Sequence, residues 1–170
     1  METTLVGFLV GLAIAFGQLV FGLVLSLASV YIGIKAFDKM TVGIDEMKEI
    51  KKGNLAVGIL MTSVIFSIAT VVQSGVAGVS SAIVGKTLAQ IPLALLMGLV
   101  QLAIGLVSAV LSVYLCIRVL DAITTDIDEM KELKRGNVAV AVLMGGVLIS
   151  VAFVVQAGIS GISTALSALI

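Results

Sequence analysis

Two clusters of carboxylates are the only concentrated polar chemistry in this chain. Asp45, Glu46 and Glu49 lie in the stretch IDEMKEIKKGN, and Asp126, Asp128, Glu129 and Glu132 lie in and just before IDEMKELKRGN. Carboxylates are hard oxygen ligands, so either cluster could attract a divalent cation weakly. Each is interleaved with lysine at helical spacing, the pattern of a solvated helix face, and no metal is assigned to it. The chain has no histidine, the commonest metal ligand and acid–base group. Its one cysteine, Cys116, reads as a small buried helix residue. The residues therefore point to no catalytic group and no cofactor, and the expectation is a protein that is not an enzyme. A formal net charge of zero gives nucleic acid nothing to bind.

The elements that must position these clusters are apolar. Of 170 residues 60% are hydrophobic and 12% charged, and the mean hydropathy is +1.27; soluble domains run at roughly 45–50% and about 25%. Uncharged runs cover Thr3–Ile34, Gly53–Gly85, Thr87–Ile117 and Gly136–Ile170, each 31 to 35 residues long. A membrane-spanning helix needs about 20 residues, and two spans with a turn need about 40. Each run thus holds one span. The first has no basic segment ahead of it and exceeds the ~7–15 residues of a signal-peptide core, so it reads as a span and not a leader.

An offset of 83 residues aligns the chain with itself, pairing Gln18 with Gln101, Gly22 with Gly105, Tyr31 with Tyr114, Asp38 with Asp121 and Gln73 with Gln156. The sequence is a tandem repeat of one helical hairpin, with units at 1–85 and 86–170. Two spans per unit make the repeats parallel, related by an axis along the membrane normal. The predicted fold is all-α transmembrane, a four-helix bundle made of two parallel-repeat helical hairpins. Nine of the ten basic residues flank the two charged loops, and only Lys86 lies on the other side. The positive-inside rule then places a multi-pass protein in the cell membrane with both loops cytoplasmic and both termini outside.

Within each loop, Ile44, Met47 and Ile50 form one apolar stripe of a short helix. Asp45–Lys48 and Glu49–Lys52 are its i,i+3 pairs. Gly53 suits the residue after the helix end and Asn54 the cap of the next span. Glu49, Lys51, Lys52 and Asn54, with Glu132, Lys134, Arg135 and Asn137, are the candidates for docking a cytoplasmic partner.

No ionisable residue falls in mid-span, which argues against ion-coupled transport and proton pumping. The polar residues inside are amides and hydroxyls. Gln18, Gly22, Ser26, Ser29 and Gly33 share one face of the first span, and Gln101, Gly105, Ala109, Ser112 and Cys116 repeat it in the third. The second span carries Gly58, Thr62, Ala69 and Gln73; the fourth carries Ala141, Gly145, Ala152 and Gln156. Such faces pack helices closely or line a polar path. The four glutamines fall at one depth, where they can form an amide clasp or, in a pore, a selectivity ring. The spans exceed a ~30 Å core, so their outer ends should protrude, bend or lie in the interface, with breaks favoured at Gly75/Gly78 and Gly158/Gly161.

The segments Glu49-Ile50-Lys51-Lys52-Gly53-Asn54-Leu55-Ala56 and Glu132-Leu133-Lys134-Arg135-Gly136-Asn137-Val138-Ala139 resemble the loop of the YjfL-like small integral membrane proteins, domain-of-unknown-function family 350. The resemblance covers nearly the whole chain as two copies. It implies a multi-span membrane protein of unestablished activity and brings no catalytic or binding residues with it. The expected function is a self-assembling or scaffolding subunit of a membrane complex, with the lipid bilayer and a homo-oligomer or larger complex as partners. The alternative is a passive channel or carrier lined by serine and glutamine.

Overall fold

A long apolar segment in lipid must satisfy its backbone groups internally, and the helix does so within one segment. The computed structural model describes residues 2–41, 43–83 and 90–167. It shows six helices: α1 (Glu2–Met40), α2 (Glu46–Lys51), α3 (Leu55–Ile83), α4 (Ile91–Ile123), α5 (Glu129–Lys134) and α6 (Val138–Ser167). The four long ones are long and apolar enough to cross a membrane, and the chain is the expected all-α bundle. Pro92 falls in the first turn of α4, where the missing N–H costs nothing. Lys86 lies outside the described residues.

The long helices do not break at their glycines. α3 runs unbroken through Gly75 and Gly78, and α6 through Gly158 and Gly161. The physical reason at Gly75 is packing: a Cβ there would stand 2.9 Å from the Leu102 Cα and 3.2 Å from the Gln101 carbonyl oxygen. This glycine serves a close helix crossing, and a straight helix serves that better than a kink. Gly105 sits in the same crossing, with the Gly75 Cα 3.7 Å from where its Cβ would be.

α3 is the hub. It packs on α4, α6 and α1, while α4 also touches α6 and α1. Val64, Ile68, Val71 and Val72 are at most 1% exposed. α1 is peripheral, with Leu19, Leu23, Leu27 and Tyr31 all more than half exposed, a surface suited to lipid and not to water. Its loop end is held by Phe37, which is 1% exposed, and by Gly33, whose absent Cβ would lie 2.6 Å from the Ile68 side chain.

Candidate functional site

Both charged loops lie at the same end of the bundle, and the contact between them is the most detailed polar geometry in the molecule. Asp45 and Asp128 accept hydrogen bonds from the backbone N–H groups of Lys48 and Lys131, 3.0 Å each, capping α2 and α5. Asp45 is thus a helix cap and not the partner of the Lys48 ammonium. At the other end Gly53 and Gly136 both adopt φ +82°, a left-handed conformation that costs other residues about 1–2 kcal/mol. Asn54 N–H bonds the Glu49 carbonyl and Gly53 N–H the Ile50 carbonyl, the paired bonds of a Schellman ending. The expected stop, turn and start are therefore present, twice.

The docking candidates mostly hold one another. Lys52 pairs with Glu49 at 2.6 Å and Arg135 with Glu132 at 2.8 Å. Asn137 Nδ2 donates to Glu132 Oε2 at 2.9 Å, and Asn54 Nδ2 to Glu49 Oε2 at 3.3 Å. These bonds hold both glutamate pKa values below the ordinary range, Glu49 first through Lys52 and Glu132 first through Asn137. Asn54 also reaches across to the second loop, donating to the carbonyls of Leu133 at 2.9 Å and Lys134 at 3.4 Å. Lys51 is exposed. Lys134 lines a crevice of about 260 Å³ with Lys131, Asp128, Met130 and Gly43 of the first loop.

The apolar loop stripe divides. Ile44 and Leu133 are buried in protein, whereas Met47 and Ile50 are exposed. Two acids of the clusters read as solvated faces are instead buried: Glu46 and Glu129 are each only 5% exposed. Glu46 accepts a hydrogen bond from the Thr41 hydroxyl. The Thr41 hydroxyl also lies 3.1 Å from the Phe37 carbonyl, as the Thr124 hydroxyl donates to the Leu120 carbonyl at 2.7 Å, but in the second unit Glu129 Oε1 is buried without a partner. Burial, and next to it the Asp121 carboxylate, push the Glu129 pKa up. A threonine stands five residues before the acid in both units, Thr41 before Glu46 and Thr124 before Glu129, so the spacing alone does not distinguish the two.

Among the intramembrane candidates, one group lies in helix contacts. Ser29, Gln101 and Ser112 are buried, as are Gly105 and its α3 neighbours. Gly22 lies against Val76, 3.3 Å from its missing Cβ. The Ser112 hydroxyl is satisfied by the Ala109 carbonyl at 2.8 Å. A second group, Ser26, Gln73 and Gln156, lines a groove of about 420 Å³ between α1, α3 and α6, flanked by Phe66 and Phe153. The two rings meet edge-to-face at 6.2 Å. Gln18 is half-buried. The glutamines form no clasp: Gln18 Nε2 and Gln101 Oε1 are buried without partners, and Gln73 and Gln156 face the groove.

The α3 stripe of Thr62, Ala69 and Gln73 is exposed, and Gly58 is only half-buried. The polar residues that α3 buries are Ser63, Ser67, Thr70 and Ser74, spaced 4, 3 and 4 on the neighbouring face. Gly145 of α6 seats directly on Ser63, and Ser74 Oγ lies 3.2 Å from Ser160 Oγ. Ser63 and Ser67 also donate to their own helix, to the carbonyls of Ile59 and Ser63 at 2.9 and 2.7 Å. This face was legible from its spacing alone, since serine recurs on it as regularly as glycine does on the other helices.

The class defined by these features is an all-α membrane-type bundle in which the loop asparagines and aspartates serve helix ends and the buried α3 serines serve helix contacts. The family model for Domain of Unknown Function (DUF350) matches residues 8–113 and again 94–170. The chain belongs to that family and carries it in two overlapping copies. No curated protein and no solved structure matches the chain.

Proposed function

We propose that this protein is a non-enzymatic structural subunit of the cell membrane, one that assembles with itself or scaffolds a larger membrane complex. The observation that supports this most is how one unit seats on the other. The glycine crossing of α3 and α4, the buried serine face of α3 and the Asn54 bridge all serve recognition between repeats. Helix contacts in lipid rest on such close approach and short polar bonds, because lipid tails give apolar side chains no reason to associate. Both charged loops face the cytoplasm in this reading, and the termini lie outside, which the distribution of lysine and arginine supports. Lys51, Lys52, Lys134 and Arg135 then present a basic edge to a cytoplasmic partner.

Crosslinking in native membranes, followed by mass determination in nanodiscs, tests the assembly. Multimers or a stable hetero-complex are expected; a protein recovered only as an unpartnered monomer overturns the reading. The groove of Ser26, Gln73 and Gln156 supports a second reading, a passive carrier or channel for a small polar solute. Solute flux through liposomes holding purified protein decides it. Flux lost in Gln73→Leu/Gln156→Leu supports it, and its absence from wild type removes it.

A further inference from the structure

The two units share one sequence pattern but not one environment, and the difference has a direction. A closed two-fold pairing would bury equivalent residues alike. Instead α3 of the first unit packs extensively on α4 of the second, whereas no comparable contact joins the equivalent helices, α6 and α1. On the first unit's side of the interface Ser63, Ser67, Val71 and Ser74 are 0–7% exposed. Their counterparts 83 positions on, Gly146, Ser150, Val154 and Ala157, are all exposed. On the second unit's side Leu102 is 9% exposed and Leu133 0%, while their counterparts Leu19 and Ile50 are 63% and 39% exposed. The units are therefore stacked head to tail. Such an arrangement leaves a donor face open on α6 and the matching acceptor face open on α1, α2 and α3.

We infer that the open α6 face of one copy takes the α1–α3 face of a second copy, continuing the interface already formed inside the chain. This rests on the self-assembly reading above and names its partner and surface. The pieces repeat closely. Gly158 and Gly22 hold the repeat positions of Gly75 and Gly105, with Leu19 in the place of Leu102; Gly22 is half-buried against Val76 of its own chain, and Leu19, 63% exposed, is the open part of the acceptor face at this level. A Cβ on Gly158 meets nothing within 4 Å in the single chain, so the close approach that this glycine permits is unused there. Gly146 opposite Thr62 restates Gly145 on Ser63 with the hydroxyl on the other partner. Where Ser74 meets Ser160, the continued interface brings Ala157 to Ala77, an apolar pair of smaller size.

The polar end repeats as well. Asn54 Nδ2 bridges to the Leu133 and Lys134 carbonyls, whereas Asn137 Nδ2 bonds only Glu132 of its own loop. In the continued stack Asn137 donates to the carbonyls of Ile50 and Lys51 of the second copy. A head-to-tail contact of this kind is heterologous, and it closes into a ring wherever its rotation permits.

Two kinds of variant test this in nanodiscs and native membranes. Gly158→Leu puts a bulky side chain on the open face, where a Cβ meets nothing of its own chain within 4 Å, and Gly17→Leu is the control, since Val100 at the equivalent position is exposed. In a Cys116→Ala background, Leu19→Cys with Gly158→Cys places one thiol on each open face. The expected results are a wild-type multimer, its loss in Gly158→Leu, its retention in Gly17→Leu, and oxidative crosslinks between copies carrying the thiol pair. A multimer that survives Gly158→Leu and forms no crosslink overturns the inference while leaving self-assembly standing. A wild-type protein that is monomeric and unpartnered removes both.

Discussion

Gly53 and Gly136 carry the sharpest constraint at the scale of single residues, because φ of +82° leaves no comfortable place for a side chain. Gly53→Ala and Gly136→Ala should each lower stability by about 1 kcal/mol. Cys116, 5% exposed, supplies the assay: its labelling by a thiol-reactive dye during heating reports unfolding, and earlier labelling is the expected outcome. Glu129 gives a pH dependence of defined sign. Its folded pKa is raised above the ordinary 4.5 by burial and Asp121, so the folded state favours the protonated acid. That contribution is complete below pH ~4.5 and is lost as pH rises through the raised value. Glu129→Gln should flatten this loss and gain stability at neutral pH in the same assay. Glu49 and Glu132 run the opposite way, since their folded pKa values are lowered. Their contribution is present above the ordinary value and falls away as acid protonates the folded carboxylates.

At the scale of elements, the two loops make the same cap and turn but differ in reach. Asn54 caps α3 through Val57 N–H at 3.3 Å and also binds the second loop. Asn137 caps α6 through Ala139 and Val140 and stays within its own loop. Loss of a cap costs about 1 kcal/mol, and a typical hydrogen bond contributes a further ~0.5–1.5 kcal/mol. In dispersed monomer, Asn54→Ala should therefore lower the unfolding midpoint more than Asn137→Ala. The helix crossing gives a similar contrast. Gly75→Ala drives a methyl into the Leu102 backbone and should cost about 1–3 kcal/mol as an overpacking change. Gly17→Ala, with open space around it, should leave the monomer's unfolding midpoint unchanged. The α3 hydroxyl face was readable from serine spacing, but the identity of its partner helix was not. Spacing specifies which residues share a face and is silent on what covers it.

At the scale of the whole molecule, the proposed orientation in the membrane rests on the distribution of lysine and arginine. A thiol placed at the exposed Lys51 in a Cys116→Ala background should be labelled by an impermeant reagent only from the cytoplasmic side. Labelling of intact cells from outside would reverse the assigned topology. The sequence by itself determined the four apolar helices, the tandem repeat, the glycine turns and the asparagine caps. Each of these depends on local chemistry: run length against bilayer thickness, the φ a glycine permits, an amide beside free N–H groups. Tertiary structure alone decided that equivalent residues have unequal surroundings. Leu19 and Leu102 occupy the same place in the repeat, yet one is 63% exposed and the other 9%. Burial depends on the neighbour present, and in a head-to-tail stack the first and last faces have none within the chain.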